Sequence, residues 1–198
     1  MIGNTIGWLA AAAVAVSLTG CATQRAAGGR SGAELSAYMP LAVGNTWLYE
    51  RDHLGATGEE RVEIVREENG FFVDNRGNGL RVDAFGIRDP KRYLLRHPIE
   101  TGNQWTTVVS VSSMERYRIL DAGFTCEVPA GTFRDCVRVE AQNRIDAERA
   151  LVNEMTFAPG VGIVQVSLSM EEKGRRLPQG GLALKSFTVK PVISPSPR

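Results

Sequence analysis

The sequence predicts a mainly β domain, an antiparallel curved sheet, open barrel or two-sheet sandwich, preceded by an N-terminal signal helix. Three observations lead there. Runs rich in β-branched and aromatic residues recur at roughly 8–12-residue spacing, with Gly, Pro and Asn between them. Beyond the N-terminal segment, no stretch keeps a helical period over about ten residues. A motif containing Gly-Asn and Trp occurs twice, 58 residues apart, which points to two related meanders and about ten strands in all.

The chain begins with an apolar run, Ile6–Leu18, of a length that suits a secretory segment and is too short to span a bilayer comfortably. Residues 1–20 contain no Lys or Arg, so the usual positive start is missing. Leu18-Thr19-Gly20-Cys21 resembles the lipobox of bacterial lipoproteins. That resemblance implies cleavage before Cys21, diacylglycerol on its sulfur and a further acyl chain, such as palmitate, on its new amine. Two or more acyl chains anchor a protein stably, where one does so only marginally. The alternatives for this segment are an ordinary signal peptide with an incidental Cys, or a buried helix. Ala22 stands where an inner-membrane retention signal would place Asp. By analogy this implies the outer membrane, with the domain facing the periplasm.

The expected divisions are 1–20 as signal peptide, 21–37 as lipidated Cys and flexible tether, 38–190 as the β domain and 191–198 as a disordered tail. Residues 22–30 are small and polar without periodicity, as in a tether. Ser31 to Tyr38 has the composition for a helical turn or two. Strands are expected at Thr46–Arg51, Arg61–Arg66, Gly70–Asp74, Leu80–Phe85 and Arg92–Leu95, each bounded by turn residues such as Asn75-Arg76-Gly77-Asn78-Gly79. Gln104–Ser112, Val137–Ala141, Ala150–Phe157, Ile163–Leu168 and Leu182–Val189 complete the set. Asp146 to Glu154 is the most ambiguous stretch.

Pro40-Leu-Ala-Val-Gly44-Asn45-Thr-Trp47 recurs as Pro98-Ile-Glu-Thr-Gly102-Asn103-Gln-Trp105. Gly-Asn suits a turn, because Gly has no Cβ and Asn tolerates positive φ. The Trp that follows either plugs the core at the start of equivalent meanders or, if exposed, grips a ligand.

Lys and Arg number 23 against 22 Asp and Glu, a net charge of +1, and the signs are interspersed, as in Glu59-Glu60-Arg61. That excludes a nucleic-acid stripe and a polybasic lipid-binding patch. With Cys21 used by the anchor, Cys126 and Cys136 remain in an exported, oxidising setting, and a disulfide between them is the natural reading. They flank Val128-Pro129-Ala130-Gly131, a good β-turn, on opposite arms of a hairpin. A two-Cys metal site is the alternative, but His53 and His97 lie far off in no ligand-spaced pair. No metal or cofactor is expected.

Asp74 to Gly79 superficially resembles a calcium loop, but Arg76 stands where an oxygen ligand is needed. Phosphate-binding and nucleophile-elbow motifs are absent from the sequence. Asp83, Asp89, Asp121, Glu140 and Glu154 are the carboxylates that a folded chain would have to pair for hydrolysis.

Pro40-Leu41-Ala-Val-Gly44-Asn45-Thr-Trp47-Leu-Tyr49, Val128-Pro129-Ala130-Gly131-Thr132-Phe133-Arg-Asp-Cys136 and Phe157-Ala158-Pro159-Gly160-Val161-Gly162 together resemble a family of bacterial secreted proteins and lipoproteins. The resemblance covers about residues 38–190. It implies an antiparallel β fold and an envelope location, and it brings no catalytic residues. The expected function is a non-enzymatic, lipid-anchored envelope protein whose domain binds a partner, protein or lipid, or an apolar ligand. The alternatives are an outer-membrane assembly accessory without a ligand site, and a hydrolase using scattered carboxylates. A concave apolar cavity distinguishes the first from the second, and a cleft with paired acids from the third.

Overall fold

The two copies of the repeat fold into the same corner. In a computed structural model that describes residues 32–110 and 113–190, Gly44 and Gly102 take φ of 91° and 92°, a region open to glycine at little cost. Gly44 N donates to Ile64 O and Gly102 N to Ile119 O, each at 2.8 Å. Asn45 Nδ2 donates to Pro40 O at 2.6 Å and Asn103 Nδ2 to Pro98 O at 2.7 Å. Each corner launches a strand and turns its Trp inward. Trp47 is 1% exposed and Trp105 is 6% exposed, so both are core plugs. Each buried ring contributes several kcal/mol of the burial term, by roughly 25 cal/mol per Å².

From these corners run two six-strand meanders. The first is β1 (Thr46–His53), β2 (Ala56–Glu68), β3 (Phe71–Asp74), β4 (Gly79–Val82), β5 (Gly86–Arg88) and β6 (Tyr93–Arg96). The second is β7 (Gln104–Ser110), β8 (Ser113–Val128), β9 (Gly131–Arg144), β10 (Arg149–Ala158), β11 (Gly162–Glu172) and β12 (Arg175–Thr188). All pairings are antiparallel, and β1 pairs with β12, so one sheet runs β6-β5-β4-β3-β2-β1-β12-β11-β10-β9-β8-β7. The sheet curls into a nearly closed barrel, which removes the sandwich alternative. Leu54-Gly55, Asn69-Gly70 and Lys173-Gly174 take positive φ at both positions, the two-residue turn that matches strand twist.

Twelve strands replace the expected ten. β5 divides the expected Leu80–Phe85 strand from the next, and of β8 only the hairpin arm that carries Cys126 was expected. β5 is only three residues long, and Gly86 permits it: a Cβ there would lie 2.2 Å from Leu95 O. The signal segment and Cys21 lie outside the described residues, as do residues 22–31 and the tail from 191.

The expected start of the domain at residue 38 is too late. A short helix, α1 (Gly32–Ala37), puts Leu35 fully out of solvent, and Ala37 O accepts Gly160 N at 2.7 Å. Packed structure therefore begins before Tyr38, within the stretch 21–37 read as tether.

Barrel closure relies on side chains as well as strands. Trp47 Nε1 donates to Val161 O at 2.7 Å and Tyr49 hydroxyl to Ile163 O at 2.8 Å, both reaching past β12. At the open seam between β6 and β7, Trp105 Nε1 donates to Tyr93 O at 2.9 Å and Asn103 Nδ2 to Arg96 O at 3.2 Å. The β8–β9 hairpin carries three register shifts, which bend it until Ala130 N reaches Leu184 O on β12 at 2.8 Å.

Val128 pairs with Gly131 at the tip, as the turn signal predicts. Cys126 and Cys136 form the disulfide, with Cα atoms 6.1 Å apart. They do not face each other in register: Cys126 pairs with Phe133, and Cys136 with Phe124. The bulge between Phe124 and Cys126 supplies the offset that brings the two sulfurs together.

Candidate functional site

Residues one strand apart on the same face form rows across the sheet, and two of these rows define the site. Tyr117, Ala141, Asn153 and Leu168 make one; Glu115, Asn143, Leu151 and Met170 make the next. The neighbouring row, Ile119, Val139, Met155 and Val166, is apolar, and Ile119 and Val139 are fully buried. The inner wall thus changes from dry core to a mixed surface within two residues of strand length. Ala141, with its short side chain between Tyr117 and Asn153, leaves the space unfilled.

The result is a lumenal cavity of about 700 Å³, inside the roughly 300–1,000 Å³ range of small-molecule sites. Leu80, Leu94, Leu151 and Met155 supply its apolar lining, and Arg92, Glu115, Tyr117, Asn143 and Asn153 its polar groups. Arg92 comes from the β5–β6 turn. Asp89 fixes that turn by accepting Lys91 N at 2.7 Å and Arg92 N at 2.8 Å with Oδ1. Asp89 Oδ2 also holds Arg92 Nε at 2.9 Å, and Arg92 Nη1 crosses the seam to Glu115 Oε1 at 2.6 Å. Tyr117 donates its hydroxyl to Glu115 Oε2 and stacks on Trp105 with ring centroids 5.2 Å apart.

The electrostatics fix the protonation of Tyr117 and Arg92. Burial first, then the hydrogen bond to Glu115, raises the Tyr117 phenol above its ordinary value of 10.0, so it remains a neutral donor. For Arg92, burial opposes the charge, and the bonds to Glu115 and Asp89 more than offset it. Neither group is poised to exchange a proton near neutral pH. The cluster is built to orient and hold.

Asn143 Nδ2 is taken by Ser113 Oγ at 3.3 Å. Asn153 Oδ1 is closed off from solvent and has no hydrogen-bond partner.

Of the carboxylates singled out in the sequence, Asp89 alone lines this cavity. Glu140 and Glu154 face each other across β9 and β10, but Arg176 sits between them, bonding Glu154 at 2.5 Å and also Glu140. Asp83 accepts the Tyr93 hydroxyl at 3.0 Å and the backbone amides of Phe85 and Gly86. Asp121 pairs in register with Arg138 on the exposed side of β8. Asp74 anchors the Asn75–Gly79 turn that the sequence indicated, accepting Arg76 N and Asn78 N at 2.8 Å each.

Among the described residues no three His, Cys, Asp or Glu side chains are grouped to hold a metal ion. A wider groove of about 1130 Å³ runs over β1, β2, β11 and β12. Two of its cations are already partnered, Lys185 with Glu59 at 2.7 Å and Arg176 with Glu154.

Sequence reasoning missed Arg92, Glu115, Tyr117 and Asn153. A signal for Asn153 was present: with period two it interrupts the apolar pair Leu151 and Met155. Glu115 likewise sits in phase with Tyr117 and Ile119. A polar residue at an inward position is the mark of a lined cavity rather than a packed one.

No protein-family model and no curated protein matches the chain. Among solved structures, a protein described as exported, with a YmcC-like fold, from Bacteroides fragilis is similar at a TM-score of 0.41 and 12% identity. That match covers 74% of this chain and 96% of the other. A protein described as a lipoprotein from Parabacteroides distasonis is similar at a TM-score of 0.40 and 12% identity, covering 77% of this chain and 98% of the other. Both likenesses are distant.

Proposed function

We propose that this chain is a lipid-anchored binding protein of the bacterial cell envelope, without catalytic activity, that holds a small and mainly apolar ligand in the barrel lumen. The observation that carries the reading is the cavity of about 700 Å³ lined by Leu80, Leu94, Leu151 and Met155, with a few polar groups among them. Pockets of that size and composition bind by burying apolar surface and orient with a few polar contacts. The non-catalytic part of the reading rests on the cluster itself. Arg92 and Tyr117 are held protonated, and the Glu140–Glu154 pair is occupied by Arg176.

The anchor rests on Leu18-Thr19-Gly20-Cys21, and Ala22 favours the outer membrane with the domain on the periplasmic side. Acyl chains on Cys21 would hold the barrel beside a membrane surface, a source of acyl ligands. A second reading, an assembly accessory, is favoured by one observation. Val108 and Met114 are cross-strand partners near the β7 edge, and both are well exposed.

The test uses the full mature chain, secreted without acylation and with the Cys21 thiol alkylated. Titration with the neutral fluorophore N-phenyl-1-naphthylamine should give saturable enhancement at one site. Filling the lumen with Ala141→Phe or Leu151→Trp should remove it while circular dichroism stays that of the parent. Absence of saturable binding in the parent chain refutes the cavity reading, and binding unchanged in both folded variants places the fluorophore elsewhere.

A further inference from the structure

The polar wall of the lumen is specific about charge. Asp89 and Glu115 carry two negative charges into the cavity lining, and Lys91 and Arg92 carry two positive ones. Arg92 is committed through Nε to Asp89 and through Nη1 to Glu115. Both Glu115 oxygens are likewise taken, one by Arg92 and one by Tyr117. Lys91 is exposed, where water screens its charge. At the Arg92–Glu115 pair, a ligand carboxylate or ammonium would have to break one of these bonds, leave a buried charge unpaired, and bring its own charge out of water. The wall therefore offers little to an ion.

It does offer something to a neutral polar group. Asn153 lies in the same row as Tyr117 and Ala141, beside the space that Ala141 leaves, and its Oδ1 makes no hydrogen bond. An orphaned buried acceptor is costly, on the order of 1–3 kcal/mol, and because Oδ1 is closed off from solvent an occupant reaches it only when the amide turns. The terminal amide torsion is soft, and half a turn exchanges Oδ1 with Nδ2 at the cavity surface. A hydroxyl, which both donates and accepts, satisfies either orientation. The apolar remainder, Leu80, Leu94, Leu151 and Met155, takes a hydrocarbon chain.

We infer that the lumen selects an acyl chain bearing an uncharged hydroxyl or amide headgroup, with Asn153 as the headgroup contact. This rests on the cavity reading above and goes beyond it in naming the ligand's chemistry.

The test is displacement of N-phenyl-1-naphthylamine from the same mature, unacylated chain by four probes with one chain length. They are 1-monolauroylglycerol, methyl laurate, laurate and dodecylamine. The monoacylglycerol should bind at least ~10-fold tighter than the two ions and ~3–10-fold tighter than methyl laurate, which accepts but cannot donate. Asn153→Leu should abolish the advantage over methyl laurate and leave methyl laurate itself within about 2-fold. Should Asn153→Leu fail to fold, Glu115→Gln serves. It removes one acid from the wall and should move the preference towards laurate.

Laurate or dodecylamine binding as tightly as the monoacylglycerol overturns the inference, as does a preference unmoved by Asn153→Leu, or by Glu115→Gln where that variant is used. In those outcomes the fluorophore still binds, so the cavity reading stands. If the fluorophore never binds, both fall.

Discussion

Removing one side chain from each repeated corner separates the two halves of the barrel energetically. Asn45 is 1% exposed. Its Nδ2 donates to Pro40 O at 2.6 Å and its Oδ1 accepts Lys190 N at 3.0 Å, tying the start of β1 to the segment that leaves β12. Asn45→Ala strands the carbonyl of Pro40, itself buried, at a cost of about 1–3 kcal/mol. The Lys190 amide lies at the surface, where water replaces the lost partner, so that bond adds only about 0.5–1.5 kcal/mol. The expected total is about 2–4 kcal/mol. Asn103 makes the matching bond to Pro98 O at 2.7 Å, but Pro98 is exposed. Pro98 O keeps the amide of Glu100 at 3.0 Å and is open to water, so Asn103→Ala should cost about 1 kcal/mol.

Equilibrium urea unfolding followed by far-ultraviolet circular dichroism, with the disulfide intact, measures both. With m of about 2–3 kcal/mol/M for a domain of this size, Asn45→Ala should lower the midpoint by about 1–2 M at unchanged m. Equal costs at the two sites, or a larger one at Asn103, would refute the argument from burial. A loss below about 0.5 kcal/mol at Asn45 would show that the corner does not hold the β1–β12 junction.

Two further outcomes follow from the cysteines. The Cys126–Cys136 bond closes a short loop, and replacing both with Ala should cost about 3 kcal/mol in the chain-entropy model. Thiol labelling of the unreduced, denatured chain should find neither, and free labelling of both means that the hairpin is not stapled in the envelope. Cys21→Ser should release the domain from the membrane fraction or leave an uncleaved precursor, and a mature N-terminus other than acylated Cys21, seen by mass spectrometry, removes the anchor.

The repeated corner was legible because its chemistry is local. Gly44, Asn45 and Trp47 lie within four positions, and their turn, bond and burial all follow from residue type. The Val128–Gly131 turn was legible for the same reason. The rest of β8 was not, because Glu115 stands at an inward position where the period-two pattern calls for an apolar side chain. Its compensation comes from Arg92, on another element and 23 residues away. A one-dimensional reading penalises Glu115 and has no means of crediting the partner. The disulfide pairing was readable from the lipobox and the cysteine count, but its register was not. The extra residue of the bulge lies on β9, where Asp135 takes φ of 55°, and one Asp within a strand does not by itself announce a bulge.

The cavity itself traces to a mismatch between the halves. β3 to β6 span four, four, three and four residues, whereas β8 to β10 span sixteen, fourteen and ten. Two equal meanders would bring complete strands to the seam and pair them. Here β8, β9 and β10 face a wall of short strands with no ladder joining β6 to β7. Their inward residues beyond Ile119, Val139 and Met155 therefore look onto the Asp89–Arg92 turn and not onto a paired strand. Backbone pairing is replaced there by the bond from Arg92 to Glu115 and the bond from Trp105 to Tyr93 O. With the bond from Asn103 to Arg96 O these are three side-chain links, which close a seam less fully than a ladder does, and the unfilled volume behind them is the lumenal site. Its polar lining and its position share one cause: the residues that complete the barrel at the seam are also ones that face the cavity.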